Sequence, residues 1–398
     1  MTTDQKTDNG YELITELDDL HFYLKQALRL EHATIPPYIT ALYSLKPGTN
    51  LEAFHIIRAV AVEEMLHLTL VANLLNAVGG DIKFTLTHPD FVPEYPAYLP
   101  TGATDFQVHL RKFCPEAVQN FMQIERAEEV EEGKPLVVSR SVQERDHFLT
   151  IHKGEKSNTF HSIGLFYSEI IRGLFALNKK MEKEGSKLFS GDPERQITPA
   201  YYYNGGGDII PVTDLRSAMR AMRVIQEQGE GSRVRTIYDA ERELAHYYRF
   251  QQLVLSEENI KLDKGQYYVI DKDNPDKSNT PGNPTGAFFK VDWDEVYPLK
   301  EDACLSHYDP GTEVYKAAQD FESAYRQFLA DLEHAFDGYP EALIPAVGGM
   351  FRLKEQANSL IRNPIPGDKD GCHAAPIFPV APPKSPKYPD PPSIALKD

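Results

Sequence analysis

The sequence predicts an all-α protein whose core is a bundle of four helices, and three observations favour this class. Two long helical patterns near the N-terminus are joined by a short turn at Pro47-Gly48, so they must pack as antiparallel neighbours. Each pattern carries a glutamate, Glu31 or Glu64, in the middle of its apolar face. The motif Glu-x-x-His also lies on two core-facing patterns, at Glu64–His67 and at Glu243–His246, a feature of bundles that bind two metal ions.

The first part of the chain supplies the helices of the predicted bundle. Helical periodicity, with glycine and proline at most of the ends, predicts helices over residues 11–46, 50–78, 158–183, 213–228 and 237–256. Residues 81–113 are broken by prolines and predict a long connection with little helix. The charged residues 125–156 predict a surface loop or a weak hairpin.

The second part of the chain has a different sequence pattern from the first. It contains a predicted hairpin of Tyr267–Ile270 with Phe288–Val291, two helices over 312–336 and 340–361, and a proline-rich tail from Asn363. So many prolines exclude helix in the tail, which we expect to wrap the surface in extended form. We therefore expect residues 11–256 to form the bundle, and residues 257–398 to pack on it within one compact unit.

Composition excludes several classes of partner. The chain of 398 residues has 42 Lys and Arg against 59 Asp and Glu, a net charge of -17 that repels nucleic acid and anionic membrane surfaces. No apolar stretch is long enough to span a bilayer. The polar N-terminus and three widely spaced cysteines, Cys114, Cys304 and Cys372, predict a cytoplasmic protein with reduced thiols.

The second helix carries the clearest chemical signal. Glu64 and His67 lie on the same helical face as the apolar Val60 and Val71. Burying an ionised carboxylate without a partner costs several kcal/mol, so a cation is one candidate partner. Glu31 lies about as many helical turns before the Pro47 turn as Glu64 lies after it, so the two should come level in the antiparallel pair.

Further along the chain, Glu243 and His246 form another Glu-x-x-His motif on a core-facing pattern, which matches a known arrangement of metal ligands. Bundles that bind two metal ions use two such helices and two further helices that give one glutamate each. Bridging carboxylates neutralise the cations, imidazoles supply nitrogen ligands, and open positions remain for dioxygen or substrate. We therefore predict that Glu31, Glu64, His67, Glu243 and His246 bind the metals.

The sequence does not decide which residue supplies the remaining carboxylate ligand. Glu169 lies at the edge of an apolar face, Glu230 is flanked by two glycines, and Glu125 is a weaker contender before the charged segment. The alternative interpretation is that each Glu-x-x-His is a solvated ion pair, as single occurrences usually are. Two motifs on core-facing positions, with Glu31 in register, favour the metal site.

Several segments resemble one family. These are Leu30–Tyr38, Val62–Leu68, Asn73–Gly80, Phe91–Pro96, Ser162–Tyr167, Gln228–Gly231 and Glu243–Phe250. They resemble the bacterial ferritin-like family of the violacein enzyme VioB, iminophenyl-pyruvate or indole-pyruvate imine dimer synthases. The resemblance implies a ferritin-like bundle, a metal site and oxidative chemistry on small molecules. The synthases carry a long additional region that this chain lacks, and Leu165 stands where a carboxylate is expected, which favours Glu169 or Glu230.

The functional prediction is a non-haem dinuclear metal oxidase or oxygenase of specialised metabolism. It would hold two metal ions, iron by preference and manganese as the alternative, with dioxygen as co-substrate. Its substrate would be a small organic molecule, and the run Tyr201-Tyr202-Tyr203 is compatible with an aromatic one. An imino acid dimer synthase, a ferroxidase without organic substrate and a metal-free structural protein are the alternatives. The oligomeric state is left open, with a dimer as one option.

Overall fold

The protein is predominantly helical, as the sequence predicts. A computed structural model describes residues 13–99, 106–126, 137–140, 151–153, 156–160, 163–229, 237–239, 241–269 and 283–378. Its fold is all-α, with four long helices in a bundle and only small β elements. None of the helices in this part of the chain has both the length and the apolar character that crossing a bilayer requires.

The first two helices form the antiparallel pair that the sequence predicts. Helix α1 spans Leu17–Ser44, and helix α2 spans Leu51–Ala77. Asn50 precedes α2 in the left-handed conformation, and Gly79, with φ of 73°, carries the chain away from its end. A glycine tolerates this positive φ without a steric penalty, so the helix ends where the sequence indicates.

Two later helices close the bundle. Helix α4 spans Ile163–Lys183, and helix α5 spans Leu215–Gly229. Helix α1 packs against α2 and α4, and helix α5 packs against the same two helices. Each member therefore has two neighbours, and the apolar faces of all four meet in one core.

The long crossover between α2 and α4 contains more structure than expected. Helix α3, Pro115–Ile124, was missed by the periodicity analysis because it is only 10 residues long. A three-stranded antiparallel sheet follows, with β1 at Val137–Arg140, β2 at Ile151–Lys153 and β3 at Lys156–Phe160 in the order β1-β3-β2. The structure therefore has a three-stranded sheet where the sequence predicted only a loop or a weak hairpin.

The predicted helix over residues 237–256 is wrong. Helix α6 spans only His246–Gln251, and a short helix α7 follows at Glu257–Lys261. Before α6 the chain folds back on itself, with a β-bridge between Tyr238 and Leu244. Arg242 has φ of 65° in this turn, a conformation that no α-helix accommodates.

The C-terminal part covers the bundle. Strands β4 (Lys264–Gln266) and β5 (Phe288–Lys290) form an antiparallel pair, with β4 slightly earlier than predicted. Helices α8 (Glu313–Phe336) and α9 (Leu343–Ile361) match the predicted pair and pack on each other. The main hydrophobic core includes residues of α1, α2 and α8, so the two parts share it. The division at residue 256 stays a prediction, and most of the proline-rich tail lies outside the described residues.

Candidate metal centre

The first group of candidate ligands lies between α1 and α2. Glu31, Glu64 and His67 are all buried, with at most 3% of each residue exposed, and offer ligand atoms close enough to share one ion. The Nδ1 atom of His67 lies 3.2 Å from Glu31 Oε2 and 3.8 Å from Glu64 Oε2. The antiparallel register of the two helices brings the three side chains together.

The second group shares Glu64 with the first. Glu125, which directly follows α3, and His246, the first residue of α6, join it. The Nδ1 atom of His246 lies 2.9 Å from Glu64 Oε1 and 3.5 Å from Glu125 Oε2. The two imidazole rings stack with their centroids 5.5 Å apart, so the groups are adjacent and Glu64 lies between them.

This donor set fits a pair of metal ions. Three carboxylates and two imidazoles, all buried, surround one small region, and Glu64 presents one oxygen to each histidine. Among the described residues, the buried Nδ1 atom of His246 has no hydrogen-bond partner of acceptable geometry, although carboxylate oxygens lie close to it. A buried nitrogen in that position is suited to a cation, since unsatisfied buried polar atoms are otherwise costly.

Electrostatics of the metal-free centre show how the charges balance. Burial raises the pKa of Glu31 to about 7, helped by Glu64 and opposed by the hydrogen bond from His67. Burial also opposes ionisation of Glu64, but its close contacts with His246 and His67 outweigh burial and lower its pKa. Although burial opposes protonation of His67, contacts with Glu31 and Glu64 raise its pKa to about 10. Protonated imidazoles thus occupy the role that a bound cation would take, and metal binding would displace protons.

Hydroxyl groups and apolar side chains complete the surroundings. The hydroxyls of Tyr167 and Tyr38 donate to Glu31 and Glu125. Thr34 Oγ1 donates to Glu64 Oε2 at 3.0 Å. A small cavity adjoins the carboxylates, and its lining also includes three apolar residues and a glycine: Leu30, Ile163, Ile225 and Gly229.

Glu243, which the sequence predicts as a ligand, lies outside this cluster. Its side chain is 65% exposed and pairs with Arg249, with 3.3 Å between Oε2 and Nη2. The spacing Glu-x-x-His places two side chains on one face only when all four residues are helical. Here α6 begins at His246, so Glu243 lies in the preceding turn and faces away.

Glu169 is also placed elsewhere, and Glu230 lies outside the described residues. The carboxylate of Glu169 accepts hydrogen bonds from the backbone N–H groups of Leu13 and Ile14 at 3.0 and 2.9 Å. Arg172 pairs with it at 2.7 Å and also donates to the Ile14 carbonyl. Glu169 therefore fastens the segment before α1 to helix α4.

We expect Glu169→Gln to lower the free energy of unfolding by about 1–3 kcal/mol, because the amide replaces a buried acceptor of several hydrogen bonds. Metal content should not change. Urea denaturation and metal analysis of the same preparation check both statements. The control is Glu182→Gln on the exposed face of α4, which should have little effect. Loss of metal in Glu169→Gln would instead place this residue in the centre.

Glu125 and Glu243, the clustered and the sequence-predicted acid, offer a second test. We expect Glu125→Gln to weaken metal binding at least about tenfold, because it removes a buried charge that would face a bound ion. Glu243→Gln, its matched control, should change the dissociation constant less than about threefold, since its carboxylate is exposed. Equilibrium dialysis of both variants against Co²⁺ measures this, and the reverse ranking would restore the sequence-based assignment.

Three residues near the centre were missed by sequence reasoning. Gln228 on α5 accepts a hydrogen bond from His67, and Glu63 on α2 accepts one from His246. Arg249 pairs with Glu63 at 3.0 Å. The sequence did contain a signal for Glu63 and Arg249. An acid directly before Glu64 and an arginine one turn after His246 can be buried together as an ion pair.

The helical bundle agrees with comparisons to known proteins. Residues 24–255 match the model of the family described as Ferritin-like, and the chain belongs to that family. A crystal structure of a ferritin like protein from Caulobacter vibrioides is similar, with a TM-score of 0.56 and 20% sequence identity. The match covers 92% of this chain and 99% of that chain, and at this identity it shows the fold alone. No curated protein matches the chain.

Proposed function

We propose that this protein is a non-haem dinuclear metal oxidase or oxygenase that uses dioxygen and acts on a small organic molecule. The observation that carries the proposal is the convergence of four buried candidate ligands, Glu31, His67, Glu125 and His246, around the buried Glu64, in a fold whose family commonly binds two metal ions. A structural role alone does not account for three carboxylates and two imidazoles packed together away from water, because their desolvation is costly.

The residues divide into two sets with one shared member. Glu31 and His67 would hold one ion, Glu125 and His246 would hold the other, and Glu64 would bridge them. Bound iron would supply the redox chemistry that activates dioxygen; manganese is the alternative. The protein itself would exclude water from the ligands. Hydrogen bonds from the Tyr167 hydroxyl to Glu31 and from the Tyr38 hydroxyl to Glu125 would hold these carboxylates in position.

Apolar residues border the candidate centre. The cavity beside the carboxylates is small, and the side chains of Leu30, Ile163 and Ile225 that line it would exclude water from bound metal ions. The resemblance to the VioB family suggests aromatic α-imino acids of specialised metabolism as the first substrate class to test. An imine dimer synthase is the more specific form of the same proposal.

The experiment that tests this proposal begins by loading the protein with metal. Full-length protein loaded anaerobically with Fe²⁺ should bind two ions per chain and then consume dioxygen. Imines of phenylpyruvate and indole-pyruvate, generated in place by an amino-acid oxidase in the presence of catalase, should yield an oxidised product that the oxidase alone does not form, with a steady-state rate of dioxygen consumption above that of the oxidase alone. With the Glu64→Gln variant, dioxygen consumption should equal that of the oxidase alone and the product should be absent.

Two other outcomes have defined meanings. Dioxygen consumption that falls to the rate of the oxidase alone once the added Fe²⁺ is oxidised, whatever imine is present, would favour a ferroxidase over an enzyme acting on an organic substrate. Protein that binds less than one ion per chain, equally in the parent and in Glu64→Gln, would overturn the dinuclear proposal itself.

A further inference from the structure

We infer that the two metal positions differ in affinity, and that the position held by His246 binds a divalent cation more tightly than the position held by His67. This inference rests on the proposed dinuclear centre and adds an order of filling to it. Its basis is the group behind each imidazole. Both rings present Nδ1 to the carboxylates, and each ring donates through Nε2 to a different acceptor.

The acceptor behind His67 is a neutral amide. Nε2 of His67 lies 2.9 Å from Gln228 Oε1, and Gln228 Nε2 donates to the Gly206 carbonyl at 3.0 Å. The second bond fixes which end of the amide faces the ring. Gly206, at φ of 78°, lies so close to α2 that an added Cβ would be 2.9 Å from Glu63 Cα, so its carbonyl is held in place.

The acceptor behind His246 is a carboxylate. Nε2 of His246 lies 2.8 Å from Glu63 Oε2, and the other oxygen of Glu63 lies 3.0 Å from Arg249 Nη2. A carboxylate polarises an imidazole more strongly than an amide and makes its free nitrogen a better donor to a cation. Arg249 balances the charge of Glu63, so the advantage lies in local basicity rather than in extra net negative charge.

The carboxylate ligands do not offset this difference. Each terminal acid accepts one tyrosine hydroxyl, Glu31 from Tyr167 and Glu125 from Tyr38, so the two sides match. The two carboxylate oxygens of the shared Glu64 differ in their surroundings. Oε2 lies 3.8 Å from His67, whereas Oε1 lies 2.9 Å from His246. The Thr34 hydroxyl shares its hydrogen between the Glu31 carbonyl oxygen at 2.8 Å and Glu64 Oε2 at 3.0 Å, so it only slightly weakens the oxygen on the His67 side, in the same direction.

Calorimetric titration of the metal-free, full-length protein with Co²⁺ tests the inference. We expect two binding events with dissociation constants at least about tenfold apart. Glu63→Gln should weaken the tighter event about 10–100-fold, the usual effect of removing a group that orients a metal-bound histidine. Gln228→Glu should strengthen the weaker event, because it places a carboxylate behind His67 as well.

The Gln228→Glu variant protects the test against misfolding, since a substitution that merely damages the protein does not increase affinity. Glu227→Gln, one residue earlier on α5, is the matched control and should leave both events unchanged. Two events of equal affinity, or variants that shift both events together or neither, would overturn the inference and leave the dinuclear centre intact. A parent protein that binds no Co²⁺ would instead overturn the proposed function.

Discussion

Substitution of Glu64 by alanine is expected to abolish binding at both metal positions, the largest single effect available in this protein. Glu64 belongs to both groups of candidate ligands, and its two oxygens face the two histidines separately. Its loss would therefore remove one proposed ligand from each position, as well as the negative charge between them. We expect the metal content to fall from two ions per chain to less than about 0.2, because affinity drops well over 100-fold.

Metal analysis after dialysis against a defined concentration of Fe²⁺ or Co²⁺ measures this effect. The isosteric Glu64→Gln variant separates the loss of charge from the loss of volume, and it should behave in the same way. Glu333→Ala is the matched control, since Glu333 is a buried carboxylate outside the centre that accepts hydrogen bonds from Phe84 and Thr87. It should lose stability and keep its metal. Two ions retained in Glu64→Ala would refute the bridging role.

The part of the centre that the sequence predicts well is the part built from long helices. Helices α1 and α2 are regular, and the turn between them is short, so a residue count from Pro47 brings Glu31 level with Glu64. His67 follows on the same face one turn later. Periodicity and one turn therefore suffice for three of the five clustered side chains.

The other two depend on short elements, for which periodicity carries little information. Glu125 directly follows a 10-residue helix in a long crossover, and its position depends on where that helix packs. His246 was identified, but through a motif that is not helical here. The turn at Arg242 and the bridge between Tyr238 and Leu244 are tertiary features that no local pattern indicates.

The recipe of one acid from each bundle helix also fails for a physical reason. Helix α4 offers the Tyr167 hydroxyl to Glu31, and helix α5 offers the Gln228 amide to His67. Both helices support ligands and supply none among the described residues. The absence of a carboxylate at Leu165 is thus explained, since Glu125 and His246 reach the centre from α3 and α6, which pack on each other.

The second large effect is expected from Arg249→Met, which should lower the free energy of unfolding by about 3–5 kcal/mol. Arg249 and Glu63 form a buried pair at 3.0 Å, each side chain 9% exposed. Methionine preserves most of the apolar stem but leaves the Glu63 carboxylate buried without its guanidinium. Urea denaturation of the metal-free protein at pH 7 measures the loss.

The pH dependence of this loss identifies its origin. Burial opposes ionisation of Glu63, but the hydrogen bond from His246 and the charges of His246 and Arg249 hold its pKa below 4.5. A carboxylate with a lowered pKa in the folded state stabilises the protein above pH 4.5, and this contribution is lost as the pH falls through the lowered value. The deficit of Arg249→Met should therefore be full at pH 7 and shrink below pH 4.5.

Arg223→Met supplies the matched control for the same change of side chain. Arg223 pairs with Glu227 at 2.6 Å, but its side chain is 73% exposed, so water replaces the lost partner. We expect a cost below about 1 kcal/mol there. The Glu63→Gln, Arg249→Met double variant should recover part of the stability, because it no longer buries an unpaired charge. A double variant as unstable as the sum of its single substitutions would show that Arg249 acts through packing of its stem rather than through the charge of Glu63.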